Sequence, residues 1–180
     1  MFGRWLVIGF CVVMTACGSV NSALQRDPTA IAMLAPTEGN TASGVVEFMQ
    51  DGDVMHINIR IDGLEANARH GLHIHEIGDC RAPDGSSAGG HFNPNGSGHG
   101  GAHSDMRHAG DLGNVQSDAN GSAQAEIKVT GISLGTGSES IIGRSVIVHA
   151  QADDLRSQPS GNAGPRIACG LISKNPDKFF

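Results

Sequence analysis

The chain has 180 residues and a formal net charge of -6, with 26 Gly, one Trp, no Tyr and 17% charged residues. That is one domain of ordinary size; high Gly without a helical period excludes a bundle or coiled coil, and an acidic chain with no basic run is no nucleic-acid binder. The outlier is nine His, most of them between positions 70 and 108.

The N-terminus reads as an export signal. Arg4 precedes an apolar run over 5–14 and a small-residue exit, Thr15-Ala16-Cys17. The run is shorter than a bilayer-spanning helix requires. Ala16-Cys17-Gly18 is similar to the end of a bacterial lipoprotein box, so residues 1–17 are a signal peptide and Cys17 a candidate for lipidation and membrane anchoring. Cleavage near Ala23 is the alternative. Residues 18–28 form a flexible tether, 29–175 the folded domain and 176–180 a C-terminal tail. Loss of Arg4 with the leader leaves 11 basic against 18 acidic residues, a charge of -7.

Short strands follow. Residues 30–34 are an apolar opening strand, and 44–49 and 54–61 flank Asp51-Gly52-Asp53 as a hairpin. In the second of these, Ile57, Ile59 and Ile61 alternate with His56, Asn58 and Arg60, one face buried and one wet. Period-two runs recur at 71–75, 123–129, 145–149 and 166–172, which predicts an all-β antiparallel sandwich or barrel. Residues 76–110 and 150–165 are long loops rich in Gly, Ser, Asn and Pro; both adjoin histidines, and loops of that length are usually functional. Cys80 and Cys169 would mature in an oxidising compartment, where a disulfide is the default and two free buried thiols the alternative. The bridge would close a loop of about 90 residues, on the order of 4.5 kcal/mol in the chain-entropy model.

His73 and His75 stand two apart on a strand, so both imidazoles face one side. His91, His99, His108 and Asp111 lie within 21 residues of loop, a four-ligand set of the kind that closes a tetrahedral zinc site and orders a loop that has no core. His149, brought beside His73 and His75 by the sheet, would complete an all-nitrogen site suited to copper. His56 and His103 read as solvated, with His103 in place of His99 as an alternative. Arg81 and Arg107 read as surface charge.

These residues resemble a known family. Gly71-Leu72-His73-Ile74-His75-Glu76, Gly90-His91-Phe92-Asn93-Pro94, His108-Ala109-Gly110-Asp111-Leu112-Gly113-Asn114, Val148-His149-Ala150-Gln151-Ala152-Asp153-Asp154 and Gly161-Asn162-Ala163-Gly164-Pro165-Arg166-Ile167-Ala168-Cys169-Gly170 are similar to copper,zinc superoxide dismutases. The similarity spans residues 30 to about 173. It implies an eight-stranded antiparallel Greek-key sandwich or flattened barrel with two long functional loops, holding one copper and one zinc ion. Copper would be bound by His73, His75, His91 and His149, and zinc by His91, His99, His108 and Asp111, with His91 bridging. The resemblance further implies that Arg166 guides the substrate anion and that Asp153 links a copper His to a zinc His. His70 would bond to backbone, and Cys80 and Cys169 would form the intrachain disulfide.

The activity implied is dismutation of superoxide to dioxygen and hydrogen peroxide, with His91 and Arg166 as catalytic residues. The chain would be an antioxidant oxidoreductase of the periplasm or cell envelope. The placement of Cys80 is similar to the exported bacterial branch, whereas 139–154 is similar to the eukaryotic one. The branches pair through different surfaces, so monomer and homodimer both stay open. The 150–165 segment is short and lysine-free, unlike that of many members, which weakens substrate steering. A metal-buffering module and a zinc hydrolase are rival functions; the second lacks an open zinc position for water.

Overall fold

A computed structural model describes residues 29–174. Eight strands follow one another: β1 (Ala30–Pro36), β2 (Ser43–Asp51), β3 (Val54–Asp62), β4 (Arg69–His75), β5 (Asp111–Gln116), β6 (Ala123–Val129), β7 (Ser145–His149) and β8 (Arg166–Lys174). One 3-10 turn, Ser86–Ala88, interrupts the long loop after β4. No helix among the described residues is long and apolar enough to cross a membrane. The predicted signal peptide with Cys17, the predicted tether and the predicted C-terminal tail lie outside the described residues.

All pairings are antiparallel, in the order β5-β4-β7-β8-β1-β2-β3-β6. The edge strands β5 and β6 approach each other, so the barrel is nearly closed. Around it β4, β5 and β6 follow in order and β3 lies beside β6, the Greek-key connection. The all-β expectation holds.

Alternation creates the core. On β3 the residues Met55, Ile57, Ile59 and Ile61 are buried and pack with Val46 and Phe48 of β2, Leu72 and Ile74 of β4, and Val146 and Val148 of β7. Every residue of β7 is buried, because its other face is covered too. There Ile147, Cys169 and Ala88 form a second, small apolar cluster. The loop after β4 therefore lies over the outside of β7 and β8, and the Cys80–Cys169 disulfide ties it down. On β4, His73 and His75 alternate with Leu72 and Ile74, so they lie on this outer, loop-covered face.

The eighth strand, β5, is the element that pattern reading left unassigned. Its six residues include Gly113 at φ 82, and the β4 ladder shifts register between Gly71 and His73 opposite it. Asp111, Leu112, Gly113 and Val115 are buried, and only two of them are large and apolar, so it has no period-two apolar signature.

Candidate metal centre

The sheet and the two loops bring the histidines together. Across the β4–β7 and β7–β8 ladders, His73 pairs with Ile147, and His149 with Arg166. A bridge between His75 and His91 draws the long loop onto the end of β4, and Asp111 stands opposite His73 at the start of β5. Two groups result, each with its ligating atoms within 4.8 Å of one another: His73, His75, His91 and His149, and His91, His99, His108 and Asp111. His91 belongs to both.

In the first group each imidazole has one nitrogen engaged and one without a partner. His75 Nδ1 donates to Gly89 O at 3.0 Å and His149 Nδ1 to Gly164 O at 3.0 Å. His73 Nε2 donates to Asp153 Oδ2 at 2.8 Å. These acceptors fix the tautomers, leaving a lone pair on the opposite nitrogen. Those nitrogens, His73 Nδ1, His75 Nε2 and His149 Nε2, are buried and unpartnered, as is His91 Nε2. Buried polar atoms are nearly always satisfied, and four orphans converging on one point are matched by a cation. Four imidazole nitrogens suit copper.

The second group surrounds Asp111. His91 Nδ1 lies 2.8 Å and His108 Nδ1 3.3 Å from Asp111 Oδ1, and the two nitrogens are 3.4 Å apart. His99 Nδ1 is 3.1 Å from Asp111 Oδ2, without hydrogen-bond geometry. Ligands bound to zinc at 2.0–2.1 Å lie about 3.3 Å from one another on the edges of a tetrahedron, so these spacings fit that ion. Asp111 Oδ2 also accepts from the N–H groups of Gly100 and His108.

Charge follows burial. Burial pushes the His73 imidazole down to about 4 and His149 to about 3, and His75 and His108 are lowered by the same cause. All four are neutral donors near neutrality. Burial pushes the Asp111 carboxyl up, but the His91 ring and the Gly100 N–H outweigh it and hold it below the usual range. Asp153 is likewise raised by burial and lowered further by His73 and His99.

Asp153 joins the two groups: Oδ2 accepts from His73 and Oδ1 from His99 at 2.9 Å. Gly161, at φ 66, leaves room for it, since a Cβ there would collide with Asp153 Oδ1 and lie 2.6 Å from His99 Nε2. Asn114 of β5 grips the Asp153 backbone, accepting from its N–H at 2.7 Å and donating to its carbonyl at 2.9 Å. Arg166 donates to Gly85 O at 2.7 Å and to Gly89 O at 2.6 Å. Gly89 O thus accepts from both Arg166 and His75.

The structure separates the other candidates from these groups. His70 Nδ1 is 2.9 Å from His149 O, behind the β7 end. His103 is exposed, and His56 pairs with Glu126 at 3.5 Å on the outer sheet face. Arg81 pairs with Asp79 at the surface. Arg107 differs from its reading as surface charge: half-buried, it donates to the carbonyls of His108, Ala109 and Thr130, fastening the His108 turn to the barrel. Arg107, Asn114 and Gln158 (described below) act on backbone groups, and no sequence spacing announces such contacts.

Comparison with known proteins agrees with this geometry. Residues 42–172 match the family model described as copper/zinc superoxide dismutase. The chain is 39% identical over 181 residues to the superoxide dismutase [Cu-Zn] of Paramecium bursaria Chlorella virus 1, covering 97% of this chain and 94% of that one. It is 45% identical over 152 residues to the superoxide dismutase [Cu-Zn] of Saccharomyces cerevisiae, with 79% and 96% covered. With the extracellular superoxide dismutase [Cu-Zn] of Caenorhabditis elegans it shares 40% identity over 181 residues, with 97% and 79% covered.

Proposed function

The chain belongs to the copper/zinc superoxide dismutase family and is an oxidoreductase that converts superoxide to dioxygen and hydrogen peroxide with one copper and one zinc ion, and from that premise we propose how its residues divide the work. Copper would be held by His73 Nδ1, His75 Nε2, His91 Nε2 and His149 Nε2. Zinc would be held by His91 Nδ1, His99 Nδ1, His108 Nδ1 and Asp111. One-electron exchange with successive superoxide ions is the chemistry that bound copper supplies. When its Nε2 is not engaged by the metal, His91 would hold there a proton taken from solvent and pass it to the reduced product, whose second proton comes from solvent. Arg166, fixed by two loop carbonyls, draws the anion in against the negative charge of the whole chain. Asp153 holds the His73 and His99 rings in their tautomers, and His70 steadies the His149 backbone.

The observation that carries this reading is the set of four buried, unpartnered nitrogens meeting at one point, one of them on the ring shared with the Asp111 group. Metal analysis and a superoxide assay on the full chain test it. The expected result is one copper and one zinc per chain, with His149→Ala abolishing turnover while zinc stays bound. Zinc alone, or a fully active His149→Ala, overturns it.

Export is supported by the disulfide, which persists in oxidising compartments, and by the extracellular relatives from Brugia pahangi and Caenorhabditis elegans. The chain then removes superoxide outside the cytoplasm, in the periplasm or cell envelope. Lipid at Cys17 would anchor it to a membrane, and the mass of the mature N-terminus tests that. Homodimer formation is supported by the exposed apolar side chains Met33, Ile77 and Leu171.

A further inference from the structure

We propose that Gln158 is a positioning residue for His99, a role that rests on the assignment of His99 to zinc. The Gln158 amide meets both main-chain polar groups of His99. Its Oε1 accepts from the His99 N–H at 2.8 Å, and its Nε2 donates to the His99 carbonyl at 3.0 Å. A side-chain amide bound at two points to one residue sets the peptide planes on both sides of its Cα, and with them the direction in which the ring leaves the backbone.

His99 needs such a hold. Gly98 and Gly100 flank it, so neighbouring side chains do not restrain the backbone, which has wide conformational freedom there. The ring is caught by Asp153 at Nε2, and the next N–H, that of Gly100, by Asp111. Gln158 supplies the restraint on the His99 backbone itself.

Gln158 is in turn aimed by a self-tied loop. Asp154 Oδ1 accepts from the N–H groups of Arg156 and Ser157, and Asp154 Oδ2 from the Ser157 hydroxyl and the Asn162 amide. The Gly161 N–H returns to Ser157 O at 2.7 Å, and the Asp154 N–H to Gly161 O at 2.8 Å. Residues 154–162 thus form a knot that presents Gln158 to the histidine loop and Asp153 to the ring of the same histidine. The segment contains no Lys; its built function is to clamp the zinc side of the centre.

The test is zinc affinity of the full, copper-loaded chain, measured by chelator competition, in Gln158→Ala and Gln158→Glu. Glu keeps the acceptor for the His99 N–H and sets a carboxylate against the His99 carbonyl. Loss of an outer partner of a metal ligand costs 10- to 100-fold in affinity; acting through the backbone, Gln158 belongs at the low end. Both variants are expected to bind zinc about tenfold more weakly and to shift the absorption bands of Co(II) placed in the zinc site. Copper affinity and the unfolding midpoint of the metal-free chain stay unchanged. If Gln158→Ala fails to fold, Gln158→Glu carries the test.

Zinc affinity within twofold of the parent chain and an unchanged Co(II) spectrum overturn the inference, as does an equal loss of copper and zinc affinity with lowered metal-free stability. Failure of the underlying assignment is distinguishable: the parent chain would then take up no zinc that His99→Ala removes.

Discussion

At the scale of single residues, the centre is built on imidazoles kept neutral by burial. An unfolded chain takes up protons on histidine near pH 6.5, whereas His73 in the fold does so near 4 and His149 near 3. Above 6.5 both states are neutral and nothing changes with pH. Below 6.5 the unfolded chain gains protons that the fold refuses, so the stability of the metal-free fold falls as pH drops toward 4. The His73 shift alone corresponds to on the order of 3 kcal/mol. Asp111 and Asp153, held low, withdraw their contribution only below the ordinary carboxylate range, so the window from 6.5 to 4 belongs to the imidazoles. Urea unfolding of the metal-free chain is expected to show a midpoint that is flat near pH 7 and descends through that window. A midpoint constant from pH 7 to 4 contradicts it.

The same scale shows what could be read in advance. His73, His75, His91, His99, His108, Asp111 and His149 are conspicuous because their residue types and spacing match what metals require. Arg107, Asn114 and Gln158 are ordinary polar residues, and their partners are carbonyls and N–H groups distant in sequence. Such contacts depend on how two loops dock, which leaves no local pattern.

At the scale of elements, strands with one dry face were legible from alternation alone, as β3 illustrates. β5 was not, because its constraint comes from Asp111 and from the ladder with β4 rather than from apolar period. The loop after β4 could be recognised as functional, yet its seat on the outside of β7 and β8 depends on the disulfide and on Ala88 against Ile147. Paired Cys80→Ser and Cys169→Ser substitutions are expected to lower stability by about 2–5 kcal/mol, the usual cost of losing a native disulfide. Urea unfolding of the metal-loaded chain measures this, and a midpoint equal to that of the oxidised parent would refute the tie.

For the molecule as a whole, the exposed apolar side chains Met33 (65%), Leu171 (48%) and Ile77 (50%) stand out. Met33 and Leu171 lie on the paired strands β1 and β8, and Leu171 reaches Gly78, next to Ile77. Apolar side chains exposed on paired strands favour self-association. Sedimentation of the chain without its N-terminal 28 residues is expected to give a dimer, and Met33→Glu with Leu171→Glu a monomer. A parent chain that is monomeric at micromolar concentration excludes pairing through this face.

The Gly89 carbonyl serves two masters, the ring nitrogen of His75 and the guanidinium of Arg166. Under the roles proposed for Arg166 and His75, capture of the anion and the setting of the copper ligand share one anchor, the Gly89 carbonyl. A substitution that lifts this stretch of chain should slow both arrival and turnover in step, and no second change at Arg166 by itself could restore the pair.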